Sequence, residues 1–332
     1  MVGQFLSAVA FLVLLLLHTP SAAQERPKVF LGATTKTLGY SPLWVAAKRG
    51  FFEQQGLDVQ LVLLLGVPMT LQALAAGSLQ VGTGGPEPYI EASERGLDFA
   101  IAGGLSNGMA QVLIAGKNYK TVEDLRGATI GASSLTSSTV TALKEALKEA
   151  LKQKGLEYPR DYKLLIVAGG SANNLTALQS GQIAATTVAV PLNYAAEEVG
   201  MNTLGRLLDA VPNFQASTIV IKRSWAEKNR AVMVRFMKAM VHSNRWLHDN
   251  RDAAVEFISK EMQLKPTHAL MGWEYYTQNR LWSADGEPNI EGMKHNLRVY
   301  AEQSGVKRPV PNVHKFLELS YLNEALTELG KR

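Results

Sequence analysis

The chain has 332 residues, 46% of them hydrophobic and 19% charged, a composition that builds packed cores and excludes a disordered or fibrous chain. Its formal net charge of +5 comes without a dense Lys/Arg block or a nucleic-acid-binding signature, so nucleic acid is not an expected partner. The absence of cysteine excludes disulfides, a cysteine nucleophile, cysteine-ligated zinc, iron–sulfur clusters and lipid attachment through cysteine.

At the N-terminus, Phe5 to Leu17 is almost wholly apolar and too short to cross a bilayer comfortably as a helix. Thr19-Pro20 breaks the run, and Ser21-Ala22-Ala23 places small residues where a signal peptidase reads. Residues 1–23 are therefore expected to be a signal peptide, with Gln24 as the mature start, although Met1-Val2-Gly3-Gln4 brings no Lys or Arg. Export without a lipid anchor fits a Gram-negative periplasm.

Short β-like runs and helical runs then alternate. Lys28 to Gly32, Leu57 to Leu64, Leu79 to Thr83 and Phe99 to Ala102 read as strands. Helices are expected from Ser41-Pro42 to Gly50, from Val67 to Ala76 and from Pro86 to Arg95, each opening on a capping or first-turn residue. The pattern restarts with strands at Ala128 to Ala132, Lys163 to Ala168, Ala184 to Val190 and Ser217 to Lys222. Its helices run from Ser138 to Lys154, Ser171 to Ser180 and Pro191 to Gly200. From Trp225 the chain reads as nearly all helix, and Met233, Met237 and Met240 at helical spacing are expected in the core. This is an α/β pattern with two α/β lobes, each with a mainly parallel sheet. Lobe one is expected over residues 24–106 and 224–332 and lobe two over 107–223, with crossings near Leu105 to Gln111 and Ser217 to Ser224.

In open α/β sheets, ligands bind beyond the carboxyl ends of strands, where helix N-termini offer free N–H groups. Five such loops are rich in small and polar residues: Lys36 to Pro42, Gly66 to Pro68, Gly84 to Glu87, Ser133 to Ser138 and Gly169 to Asn173. Gly82-Thr83-Gly84-Gly85 is a poor match to a dinucleotide loop. The histidines after the apolar leader, His242, His248, His268, His295 and His314, show no metal-site spacing, and no G-x-S-x-G elbow occurs. No catalytic residue, metal or cofactor is expected.

The run Gly39-Tyr40-Ser41-Pro42, followed by Ala46 to Val59 with its Gly50-Phe51-Phe52-Glu53 and Gly56-Leu57-Asp58-Val59, closely resembles the opening of the nitrate/sulfonate/taurine solute-binding family of ABC transporters. That family shares its fold with the thiamine-pyrimidine-precursor group. Ala73 to Gly77, Val122 to Gly131, Ala177 to Ile183 and Ser320 to Leu326 resemble its later motifs. The chain departs from the family at Gln80 and Ala184, where an Asp usually follows the turn.

The resemblance implies a type II periplasmic binding protein fold, two α/β lobes joined by a hinge, and a monomer that delivers a small molecule to an ABC permease and ATPase complex. A sulfonate-, taurine- or nitrate-like organic anion is the expected ligand, and a pyrimidine or other aromatic nutrient the alternative. A periplasmic sensor subunit, or an enzyme of the same superfamily, are the readings of other classes. The expected ligand-binding residues are Tyr40, Ser41, Gly85, Glu87, Ser134, Ser137 and Asn173. Tyr40 would cover the ligand with Ser41 beside it, and Gly85 would admit the backbone closely. Ser134 and Ser137 would donate to an anion, and Asn173 would bridge the cleft. An inward Glu87 would argue against a free sulfonate.

Overall fold

The computed structural model describes residues 25–64, 66–135, 137–149, 155–303 and 310–332; the expected signal peptide, 1–23, lies outside them. In chain order the strands are β1 (Lys28–Ala33), β2 (Asp58–Leu63), β3 (Val81–Gly84), β4 (Phe99–Asn107), β5 (Gln111–Ala115), β6 (Thr129–Ala132), β7 (Lys163–Ile166), β8 (Ala185–Ala189), β9 (Asn202–Arg206) and β10 (Gln215–Lys222). The helices are α1 (Ser41–Lys48), α2 (Phe51–Gln54), α3 (Val67–Ala75), α4 (Pro86–Glu94), α5 (Ser138–Glu149), α6 (Ser171–Gln179), α7 (Leu192–Glu198), α8 (Leu207–Ala210), α9 (Arg223–Lys228), α10 (Arg230–Asp249), α11 (Arg251–Met262), α12 (Pro266–Gln278), α13 (Ile290–Gln303) and α14 (Ser320–Leu329).

The strands form two five-stranded sheets of orders β2-β1-β3-β10-β4 and β7-β6-β8-β5-β9. In each, three strands are parallel and the fourth runs antiparallel to both its neighbours. That antiparallel strand is the one that follows a crossing. β5 enters the second sheet directly after residues 108–110, and β10 enters the first after 211–214. The second crossing thus precedes its expected place, and residues 215–222, expected in lobe two, belong to the first sheet. The reason lies in the start of β10, where Gln215 and Ser217 are buried polar residues that give no apolar signal.

Parallel strands covered on both faces read as continuous apolar runs, as in β1, where Val29, Leu31 and Ala33 are fully buried. One face of the first sheet packs on α10 and α14, with Phe52 stacked on Phe236 at 5.2 Å and with Met233, Met237 and Met240 in the core. Each side chain of this size, fully buried, contributes roughly 1.5–3 kcal/mol. The second sheet has Leu143 and Leu147 of α5 on one face. Its other face meets α6, α7, α11 and α12 in one cluster with Val112, Ile114 and Val188. The C-terminal helices therefore do not belong to the first sheet alone, as the sequence suggested: Lys265 and His268 bind Glu198 at 2.6 and 2.9 Å, and α13 touches both α4 and α5.

Candidate functional site

Where the parallel strands of both sheets end, a cavity of about 330 Å³ lies between the sheets. Thr34 and Thr35 follow β1, Gly85 follows β3, Ala132 to Ser134 leave β6, Gly169 and Gly170 follow β7, and Thr187 comes from β8. Ser106, Gln111 and Ser217 line it from the strands beside the crossings. Five helices begin here. Tyr40 precedes α1, Gly66 precedes α3, Gly85 precedes α4, Ser137 precedes α5 and Gly170 precedes α6, and each lines the cavity. Helix N-termini bring unpaired N–H donors and partial positive charge, so they attract an anion without a cationic side chain. The lining is Ser, Thr, Gly, Tyr, Gln, Ala, Val, Pro and Met; among the described residues no Lys, Arg, His, Asp or Glu lines it.

Local sequence explains the shape. Gly169 and Gly170 hold φ of 98° and 81°, a left-handed region that favours glycine and turns β7 into α6. Ser137 caps α5: its Oγ accepts from Val140 N at 3.3 Å and donates to the Ser134 carbonyl at 3.2 Å. Gly85 is demanded by close approach, because a Cβ there would stand 1.8 Å from Ser138 Oγ.

Four of the seven expected residues, Tyr40, Gly85, Ser134 and Ser137, line the cavity. Tyr40 is 7% exposed, and its hydroxyl sits in a chain, accepting from Ser217 Oγ at 2.9 Å and sharing a hydrogen bond with Thr34 Oγ1 at 2.6 Å. Burial pushes its pKa up, partly offset by these hydroxyls. Its ring is therefore a fixed wall more than a mobile cover.

The other three stand elsewhere. Ser41, the first residue of α1, is fully buried, with an Oγ that has no hydrogen-bond partner among the described residues; the helical turn rotates it away from its neighbour Tyr40. Asn173 is exposed and donates to the Ala168 carbonyl at 2.8 Å, closing the turn behind α6 instead of bridging the cleft. Glu87 is 1% exposed and points inward, but behind the lining: its Oε2 accepts from Ser138 Oγ at 2.5 Å. Burial raises the Glu87 pKa to about 7; Ser138, its own backbone N–H and, least, Asn296 pull it down. Trp44 packs beneath Lys36, whose ammonium lies 5.0 Å from its ring, and is not a lining residue.

The sequence reading missed Thr34, Ser106, Ser138, Thr187, Ser217 and Tyr276, all on the lining. Ser138 had a signal, a third polar residue at a helix start. Thr187 and Ser217 sit within strands, and Tyr276 comes from α12, with no local motif to mark them.

Comparison with known proteins adds the following. The family described as NMT1/THI5 like matches residues 38–254. A Brucella abortus (strain 2308) protein, named provisionally as a binding protein, is 33% identical over 126 residues, 37% of this chain and 39% of that protein. The match thus spans about two-fifths of the curated relative. The periplasmic nitrate-binding protein NrtA of Synechocystis PCC 6803 superposes with a TM-score of 0.73 at 15% identity, over 92% of this chain and 90% of that one. The periplasmic aliphatic sulphonate-binding protein SsuA of Escherichia coli gives 0.65 at 21%, over 90% and 99%. These likenesses, with the paired sheets and two crossings, give the expected fold, that of a type II periplasmic binding protein.

Proposed function

The chain belongs to the NMT1/THI5-like family, and from that premise we propose that it is a solute-binding protein that holds a small organic anion between its sheets. In this reading it is not an enzyme, and it works as a monomer in the periplasm, handing its ligand to an ABC permease and ATPase complex. The observation that carries the proposal is the convergence of five helix N-termini on one cavity lined by hydroxyls and backbone. Such a site supplies many donors to an anion and, among the described residues, no carboxylate, imidazole or amine in contact with it. NrtA and SsuA, the superposed neighbours, are named for nitrate and aliphatic sulphonate. Tyr40 and Tyr276 on the lining favour a second ligand type, a flat amino-substituted ring such as a pyrimidine.

The proposed lobes are residues 24–107 with 215–332 and residues 108–214, with α11 and α12 of the first packed against the second sheet at the seam, the two sheets moving about the crossings at 108–110 and 211–214. A ligand that touches both sheets favours the closed arrangement, because its contacts are complete only there. Tyr40, Gly85, Ser134 and Ser137 are proposed ligand contacts, with Ser138 and Ser217 added. A thermal-shift panel tests this with nitrate, methanesulfonate, butanesulfonate, taurine and cytosine. An anion that binds the folded protein raises its melting temperature. A panel in which cytosine stabilises the protein and no anion does overturns the anion reading.

A further inference from the structure

Glu87 has no part in the binding function as described, yet it is the buried carboxylate nearest the cavity. It lies in the first turn of α4, in the first-sheet half, and its hydrogen bond to Ser138 reaches the start of α5 in the second-sheet half. Ser138 lines the cavity. The second carboxyl oxygen, Oε1, is buried with no hydrogen-bond partner among the described residues. The pair is tightly confined: a Cβ on Gly85 would meet Ser138 Oγ at 1.8 Å and Glu87 Oε2 at 2.9 Å.

A serine hydroxyl has one proton to give. While Glu87 is ionised it only accepts, so the Ser138 proton is committed to Oε2 and Ser138 turns lone pairs toward the cavity. Once Glu87 is protonated, its own O–H donates to Ser138 Oγ, and the Ser138 O–H is released toward the ligand. The charge on Glu87 therefore decides whether this wall accepts or donates.

Resting on the binding function above, we propose that Glu87 is the positioning residue that sets the ligand class of the cavity, working through Ser138: an anion binds with Glu87 protonated and takes up one proton from solvent. The proton adds to a Glu87 oxygen, no covalent bond is broken, and the anion keeps its charge. A carboxylate left ionised behind Ser138 would repel the anion and withhold a donor from it.

The surroundings leave this carboxyl free to respond. Of the strands packed on α4, β4 carries no charged residue and β10 carries only Lys222, at its far end beside Phe99. On α13, Asn296 faces the core, where it lowers the Glu87 pKa slightly, and exchanges hydrogen bonds with the Gln215 backbone at 3.0 and 2.8 Å. The charged Glu291, Lys294 and Arg298 of α13 are exposed, and its half-buried His295 packs on Phe214 and binds Arg298. On α5, Lys144 and Glu145 lie further along the helix from Ser138. On α4 itself, Glu91 is engaged by Arg95 and by the Tyr300 hydroxyl of α13, each at 2.5 Å. Burial already lifts the Glu87 pKa to about 7, so both charge states are accessible near neutrality, and a bound anion lifts it further.

Calorimetry with nitrate, methanesulfonate and butanesulfonate tests the proposal, because these probes stay ionised throughout. Titrations from about pH 5.5 to about pH 8.5, in buffers of different ionisation enthalpy, count the protons exchanged. The wild type should take up about one proton at the alkaline end, and its Kd should weaken about tenfold per pH unit above about pH 7. Glu87→Gln should bind with no proton exchange and a Kd flat with pH. Ser138→Ala, an independent variant, removes the hydrogen bond that lowers the Glu87 pKa, so its proton uptake should shift to higher pH. Wild-type binding with no proton exchange, with proton release, or with uptake that survives Glu87→Gln overturns the assignment while leaving the binding function standing. If Thr35→Trp, which fills the cavity, abolishes binding, a pH-flat wild type condemns Glu87 alone. If no probe binds the wild type, the anion reading falls and this proposal falls with it.

Discussion

In the first sheet, Thr83 on β3 donates to the Gly32 carbonyl on β1 at 2.9 Å; in the second, Thr186 on β8 donates to the Gly131 carbonyl on β6 at 3.0 Å. The two glycines answer one need: a Cβ on Gly32 would strike Leu79 at 2.5 Å, and one on Gly131 would strike Ile183 at 2.3 Å. Leu79 and Ile183 each follow the turn that ends a helix. Leu79 is followed by Gln80, whose Oε1 accepts from Phe30 N at 2.8 Å; Ile183 is followed by Ala184, which has no such group. With the same strand order as well, the sheets match nearly device for device. They part at the cavity. The first half presents Ser217, Tyr40 and Thr34 as a closed chain of hydroxyls, each 7% exposed or less. The second half presents Ser133, exposed, and Ser134 and Ser137, half-buried, on the loop before α5. One wall is fixed and the other has room to adapt, a division that suits the proposed closure on a ligand. Gly85, Glu87 and Ser138 join the two.

The largest expected effect comes from breaking that join. Gly85→Ala places a methyl 1.8 Å from Ser138 Oγ and 3.0 Å from its Cβ, so the Ser138 side chain must shift and its contact with Glu87 is broken. The backbone at Gly85, with φ of −62°, tolerates alanine, so the fold should survive. Anion affinity measured by calorimetry should fall roughly a hundredfold or more, on the order of 3 kcal/mol. An alanine variant that binds within threefold of the wild type would show that the halves do not need this contact.

Next in size is the effect of Glu87 on stability. Its pKa is 4.5 as a free side chain and about 7 in the fold. Between these values the folded chain holds more protons than the unfolded one, so stability falls as pH rises from about 4.5 to about 7 and levels off above. Glu87→Gln lacks this loss. In the absence of ligand it should exceed the wild type by up to about 3 kcal/mol at pH 8, and the gain should vanish in acid. Denaturant melts at several pH values read it directly; a gain that grows toward acid has the wrong sign for a buried, unpaired carboxyl.

Tyr40→Phe tests the fixed wall. It removes the hydroxyl that links Ser217 and Thr34, leaving two buried groups short of a partner, at a cost of about 1–3 kcal/mol in stability. Affinity should fall roughly tenfold, through lost rigidity. A melt and a titration on the same sample separate the two, and unchanged values in both would mean that the wall needs no such lock.

Much of the fold was legible because local chemistry and global structure agree. The Val/Leu runs of β1 and β2, and the Gly, Pro and Ser residues at helix starts, mark elements whatever surrounds them. β9 was missed because Asn-Thr-Leu-Gly-Arg is a largely exposed edge strand with nothing to bury. β5 was not read as a strand: the expected crossing, Leu105 to Gln111, reached only its first residue, and five residues are too few to show a period. In the site, loops were readable and side-chain directions were not. Ser41 and Tyr40 are neighbours in sequence, yet one helical step turns the first into the core and leaves the second on the cavity. The hydroxyls of Thr34, Thr187 and Ser217 meet only because strands distant in sequence end together, a fact of topology with no local trace.

The smallest expected effects test the adaptable wall, and they come as a pair. Ser137→Ala and Asn173→Ala each remove one short polar side chain at the start of a helix of the second half, Ser137 just before α5 and Asn173 in the first turn of α6. The comparison turns on where those side chains point. Ser137 caps α5 and lines the cavity, and its two hydrogen bonds, at 3.2 and 3.3 Å, are long. Losing them should cost about 0.5–1 kcal/mol of stability, at the low end for a helix cap. If its hydroxyl also turns to the ligand, affinity should drop several-fold, about 1 kcal/mol. Asn173 bonds the Ala168 carbonyl from an exposed position, so a water can replace its amide at little cost. Its alanine variant should match the wild type in affinity. The informative reading is the difference between the two variants under one buffer and one probe, which cancels any general loosening of the second half. Wild-type affinity in both variants would remove Ser137 from the ligand contacts. A loss at Asn173 as large as that at Ser137 would mean that the α6 loop swings inward when ligand binds, and would return Asn173 to the site.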